Sequence, residues 1–96
     1  MAAYWVVRVN VLDTKKLQAY APLAAAAVEL YGGRYLARGG VHETTEGIDY
    51  ARNVLVCWPD MNTAQAAYHS PEYQKARDVL GSGADRLFVI VDGLPD

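Results

Sequence analysis

Apolar side chains alternate along the first stretch of the chain. Over residues 4–12, Trp5, Val7, Val9 and Val11 fall on one side and Tyr4, Val6, Arg8 and Asn10 on the other. This period-two pattern predicts a strand whose wholly apolar side packs on helices. The period then lengthens. Asp13 is suited to cap a helix, and Leu17, Tyr20, Ala24, Ala27 or Val28, and Tyr31 recur at three- and four-residue steps to about residue 31. Pro22 has no amide hydrogen and crowds the preceding turn, so a kink or restart is expected there. Gly32-Gly33 ends this helix, because a chain turning back toward a sheet needs positive φ. A second strand covers residues 34–38 and is expected to resume over 41–45, with a bulge or close approach at Gly39-Gly40.

After the turn signal Glu46-Gly47, the third strand spans residues 52–58, with Val54, Val56 and Trp58 on one face and Asn53, Leu55 and Cys57 on the other. Asp60 caps a helix carrying Ala64, Ala67 and Tyr68. His69-Ser70-Pro71-Glu72 then breaks it and starts another, with Ser70 as cap, Pro71 in the first turn and Glu72 at the positive end of the dipole. That second segment carries Tyr73, Ala76, Arg77 and Leu80 and stops at Gly81-Ser82-Gly83. A last strand over 86–91 leads into a tail at 92–96.

The order β-α-β-β-α-β predicts an α+β, ferredoxin-like fold, a four-stranded antiparallel sheet with helices on one face. The uncovered face is expected to combine Val6, Leu36 and Leu55 with Arg8, Asn10, Arg38 and Asn53, which is too apolar for water and too polar for a core. A second sheet suits it, and the simplest source is another copy, giving a homodimer through the sheet faces.

Composition narrows the partners. Ninety-six residues, 52% hydrophobic and with a net charge of −2, predict one domain (1–96) with little attraction for nucleic acid or an anionic membrane. Cys57 is the only cysteine, so no intrachain disulfide or cysteine-based zinc site is expected. The absence of a leader or an apolar span points to the cytoplasm.

Several segments together, Tyr4-Trp5, the run Tyr31-Gly-Gly-Arg-Tyr-Leu-Ala-Arg-Gly-Gly40, Arg52-Asn53-Val54 and Tyr68-His-Ser-Pro-Glu-Tyr73 followed by Ala76-Arg77, carry a resemblance. The chain resembles the bacterial family known as domain of unknown function thirteen-thirty, within the dimeric α/β-barrel superfamily. That resemblance implies a dimeric barrel of ferredoxin-like halves. Related families include cofactor-free monooxygenases, isomerases, decarboxylases, haem-degrading enzymes and ligand-sensing modules. Cys57 stands where members of the family often carry an acidic residue.

The residues themselves suggest a small organic ligand, anionic where a guanidinium holds it. Arg38 is the first catalytic candidate, since a guanidinium at a cavity can hold a carboxylate or steady an enolate; an intersubunit ion pair is its structural alternative. His42 and His69 are the candidate proton carriers. Arg8, Asn10, Asn53, Tyr68 and Tyr73 are candidate substrate-binding residues, and the same groups could simply bond within the fold or across a dimer. No histidine spacing suggests a metal, no glycine loop suggests a phosphate site, and no cofactor is expected. The functional expectation is a cofactor-independent enzyme of the proton-transfer, isomerase or monooxygenase type, acting in a cavity on the non-helical face. The alternative is a non-catalytic dimeric module for a metabolite or a protein.

Overall fold

A computed structural model describes residues 1–95 of the chain. Its elements run β1 (Ala3–Val11), α1 (Thr14–Leu30), β2 (Arg34–Arg38), β3 (Arg52–Trp58), α2 (Met61–His69), α3 (Pro71–Leu80) and β4 (Ala84–Asp92). The strands form one sheet in the order β2-β3-β1-β4, and every neighbouring pair is antiparallel. With the two segments α2 and α3 serving as the second helical crossover, this is the ferredoxin-like βαββαβ fold.

The predicted caps are present. Asp13 accepts from the Lys15 and Lys16 amides, Asp60 from Thr63, and Ser70 from Tyr73. Gly32, with φ +84°, closes α1, and the Gly33 amide reaches back to the Val28 carbonyl at 2.8 Å. Pro22 does not restart the helix. It sits exposed inside one 17-residue α1, on the side away from the core, where the carbonyl it cannot pair with can turn to water.

Two further expectations are corrected. Residues 41–45 form no strand, so the segment between β2 and β3 is a long connection. The ladder irregularity falls between Tyr35 and Ala37 rather than at the glycine pair. Gly39 takes φ +73°, and its amide still bonds the Asn53 carbonyl at 2.9 Å. The final strand also extends a little further at both ends than its most apolar stretch suggests, and the anticipated tail residue Asp96 lies outside the described residues.

The core lies between the helices and one face of the sheet. Ala3, Trp5, Val7 and Val9 of β1 and Val56 and Trp58 of β3 meet Ala24, Ala27 and Val28 of α1 and Ala64, Ala67, Tyr73 and Ala76 of the second crossover. Trp5 is its centre. Its ring lies 4.7 Å from Trp58, 5.0 Å from Tyr73 and 5.1 Å from Phe88 between centroids, and its Nε1 donates to the Ala64 carbonyl at 2.9 Å. Each such ring removes roughly 150–250 Å² from water, about 4–6 kcal/mol as an upper bound. The small residues of the helices let these rings sit close to the sheet. On the opposite face Val6, Leu87, Val89 and Val91 are exposed.

Candidate functional site

The register places two arginines in one row on the helical side. Val9 of β1 pairs with Arg52 on one flank and Arg86 on the other, so all three side chains share the face that carries Trp5 and Val7. One row further in, Arg38 pairs with Val54. An ordinary strand would have sent Arg38 to the face opposite Tyr35. The extra residue at Leu36 reverses the alternation, so Arg38 and Tyr35 lie on the same side, with the guanidinium carbon 4.4 Å from the Tyr35 ring centre. Arg38 is therefore on the helical side and not on the open face that its position in the sequence suggests.

These arginines rim a cavity of about 50 Å³ between α1 and the sheet. Its walls are apolar, from Trp5, Val7, Val54, Val56 and Phe88 on the strands and Leu17, Ala21 and Ala24 on α1, with Tyr20 and Tyr35 supplying hydroxyls. A water occupies about 30 Å³ in the liquid, so this volume suits one or two waters or the head of a ligand whose body projects outward.

At the Arg86 end a compact network fixes the polar groups. Nη1 of Arg86 donates to the Tyr20 hydroxyl at 3.1 Å and to the Tyr73 hydroxyl at 3.2 Å, and the two hydroxyls are 2.8 Å apart. Burial pushes the Tyr73 hydroxyl far above its ordinary pKa, neighbouring Tyr20 adds to this, and Arg86 opposes it. Burial works against the charge on Arg86, but Tyr73 and Tyr20 together more than offset it and hold its pKa above the usual arginine value. Tyr73 is thus held in its neutral form and Arg86 in its cationic form. Burial also raises the Tyr35 hydroxyl, against the influence of Arg38. Arg52 lies against Gly39, where a Cβ would collide with its guanidinium. No carboxylate comes within ion-pair distance of Arg38, Arg52 or Arg86 among the described residues.

The open face carries a different arrangement. Arg8 Nε donates to Asn53 Oδ1 at 2.9 Å while its guanidinium covers the Tyr50 ring at 4.8 Å. Asn10 donates to the Asp49 carbonyl and accepts from the Ala51 amide, and Asn53 donates to the Tyr50 carbonyl. These three side chains strap the connection between β2 and β3 onto the sheet and bury Tyr50. Around Arg8, Asn53, His42 and residues 43–46 lies a solvent-open hollow of about 280 Å³. His42 Nε2 is 3.3 Å from Asp49, whose carboxylate also accepts from Thr44 at 2.7 Å. Hydrogen bonds from Thr44 first and His42 second hold Asp49 below the ordinary carboxylate pKa.

Against this geometry, the sequence matches the family described as Domain of unknown function (DUF1330) over residues 2–94. The chain belongs to that family. No curated protein matches it in sequence. Several solved structures share the DUF1330 chain's fold. A protein of unknown function from Rhodopseudomonas palustris superposes with a TM-score of 0.77 at 14% identity, covering 99% of this chain and 84% of that one. SnoaB, a cofactor-independent oxygenase from Streptomyces nogalater, gives 0.67 at 14% identity over 99% and 95%. A dimeric ferredoxin-like protein of unknown function from Jannaschia gives 0.68 at 14% identity over 97% and 100%. At these identities the likeness establishes the fold alone.

In this DUF1330 chain the residues singled out from sequence do not form one site. Arg8, His42 and Asn53 line the open hollow, whereas Asn10 is not in its wall and bonds the Asp49 carbonyl. Arg38 rims the cavity on the far side of the sheet, and Tyr73 reaches it only through Tyr20 and Arg86. Tyr68 packs among Trp5, Tyr73 and Phe88, and His69 is exposed at the end of α2, 5.1 Å from the Tyr68 ring. Tyr20, Tyr35, Arg52 and Arg86 were not anticipated. Their signal was present: Arg52 is in phase with Val54, Val56 and Trp58, and Arg86 with Phe88 and Ile90, so each is a charge on an otherwise apolar strand face.

Proposed function

We propose that the cavity between α1 and the sheet, rather than the open face, is the ligand site, and that it takes a small organic anion. The observation that carries this reading is the convergence of Arg38, Arg52 and Arg86 on one apolar cavity with no carboxylate to neutralise them among the described residues. Three like charges held at one rim repel, and an anion seated among them relieves that repulsion while gaining charge-assisted hydrogen bonds. The apolar walls favour a ligand with an apolar body.

Among the described residues, the cavity wall contains no histidine, carboxylate or thiol. A ligand must therefore arrive already ionised, as a carboxylate or an acidic enol or phenol does, because nothing at this site takes its proton at neutral pH. We read the protein as a cofactor-independent enzyme acting on such an anion, the class to which the similarly folded Streptomyces oxygenase belongs. The missing proton acceptor gives specific support to the other reading, a metabolite-binding module without turnover. His42 and His69, on either reading, are outside the cavity.

The decisive experiment is calorimetry with aromatic and aliphatic carboxylates and phenolates, coupled to assays for their consumption. Arg38→Ala and Arg52→Ala should each weaken anion binding about tenfold, the scale of a charge-assisted hydrogen bond, while Arg77→Ala on the outer side of α3 should not. Equal affinities in all four proteins would remove the proposed site. Turnover separates enzyme from binding module. We further propose that the whole chain acts as one domain and that its exposed open-face strip, Val6, Leu87, Val89 and Val91, is covered by a second copy. Molar mass in solution tests this.

A further inference from the structure

The hydroxyl network at Arg86 has a determined direction. A tyrosine hydroxyl has one hydrogen to donate and two lone pairs to accept with. Tyr73 is completely buried, and its hydroxyl meets Arg86 and Tyr20. Arg86 can only donate. If Tyr20 donated to Tyr73, the Tyr73 hydrogen would be buried with no acceptor, a costly arrangement that folded proteins avoid. Tyr73 therefore donates to Tyr20. Tyr20 then accepts twice, from Tyr73 and from Arg86, and both its lone pairs are filled. Its own hydrogen has no partner in the network, and Tyr20 lines the cavity.

From this we infer that Tyr20 is the specificity-determining donor of the site, obliged to donate to the ligand and unable to accept from it, with Tyr73 as the positioning residue that enforces this. The inference rests on the ligand site proposed above and narrows its ligand to one presenting an oxygen acceptor beside the arginines: a carboxylate, phenolate or enolate oxygen. A ligand that offers only an O–H or N–H at that point meets a hydroxyl with no free lone pair, and is rejected because its donor is left unpaired.

4-Nitrophenol is a suitable probe, because it ionises near neutrality and its phenolate absorbs visibly. The wild-type protein should bind the phenolate in preference to the neutral phenol, lowering the probe's apparent pKa. Tyr20→Phe should weaken phenolate binding about tenfold and binding of the neutral phenol by less, because its uncharged oxygen is the poorer acceptor of the Tyr20 hydrogen. Tyr73→Phe frees one Tyr20 lone pair, so neutral phenol should bind more tightly and the preference for the anion should shrink from that side. Circular dichroism and thermal midpoints establish that each variant is folded, and the wild-type pH profile reads the preference without any substitution. Phenolate affinity within twofold of wild type in Tyr20→Phe, while Arg38→Ala still loses it, overturns the role of Tyr20 and leaves the arginine site standing. Identical effects of the two tyrosine variants overturn the assigned direction. No phenolate preference in the wild-type protein overturns the inference together with the site.

Discussion

Replacing Ser70 with alanine should cost more than the loss of an ordinary helix cap. Ser70 is nearly fully buried at the junction of α2 and α3 and uses its hydroxyl twice. The oxygen accepts from the Tyr73 amide at 3.1 Å, capping α3, and the hydrogen is donated to the Ala67 carbonyl at 2.7 Å, closing α2. Losing an N-cap side chain costs about 1 kcal/mol. Losing the second bond adds about 1 kcal/mol, since the Ala67 carbonyl keeps only a longer bond from the Ser70 amide. Together they give about 2 kcal/mol, which for a domain of this size lowers Tm by about 8–16 °C. Ser70→Asp separates the two halves. An aspartate can cap Tyr73 but cannot donate to Ala67, and it places a charge in a buried site, so it should be no better than alanine despite being a good cap elsewhere. Thermal unfolding by circular dichroism measures both variants. Asp60→Ala, which removes an exposed cap with one side-chain bond to the Thr63 amide, is the comparison. If Ser70→Ala loses no more than Asp60→Ala, or if Ser70→Asp restores the wild-type Tm, the double use of the hydroxyl contributes nothing.

Two further outcomes follow from the site's surroundings. Gly39→Ala forces a side chain into a left-handed conformation, at about 1–2 kcal/mol, and displaces the Arg52 guanidinium; it should lower both Tm and affinity for organic anions, whereas Gly40→Ala, which meets nothing, should leave affinity unchanged. In acid, Asp49 and Asp60 both lose favourable contacts: their folded pKa values lie below the unfolded value, so their contributions are present above about pH 4 and vanish as pH falls through the folded pKa. Amide resonances of the connection before β3 and of the first turn of α2 should therefore shift below about pH 4, and Asp49→Asn should abolish the first of these changes.

The fold was legible because its signals are local and mutually consistent. Trp5, Val7 and Val9 mark one face of β1 at period two, Asp13, Asp60 and Ser70 are caps with an available oxygen, and Gly32 stands where positive φ is required. Residues 41–45 misled for the opposite reason. Their strand-like composition has no partner strand to pair with, and Arg8, Asn10 and Asn53 hold the end of the connection to the sheet by side-chain bonds that no pattern announces.

The site turned on a single residue. In a strand with period two, Arg38 belongs with Arg34 and Leu36, and alternation alone assigns it to the open face beside Arg8 and Asn53. The irregularity at Leu36 moves everything after it to the other side, so Arg38 enters the helical face opposite Val54. Glycine pairs advertise bulges, but the pair at 39–40 lies three residues past the irregularity at Leu36. Gly39 instead makes room for Arg52, so β2 supplies one guanidinium and the residue after it accommodates another. A charge on β3 and another on β4, each in phase with core residues, would have been unfavourable as isolated features. Opposite a redirected Arg38 they join a third guanidinium at the rim of one cavity, and the bulge is what turns separate exceptions to the hydrophobic pattern into a common one.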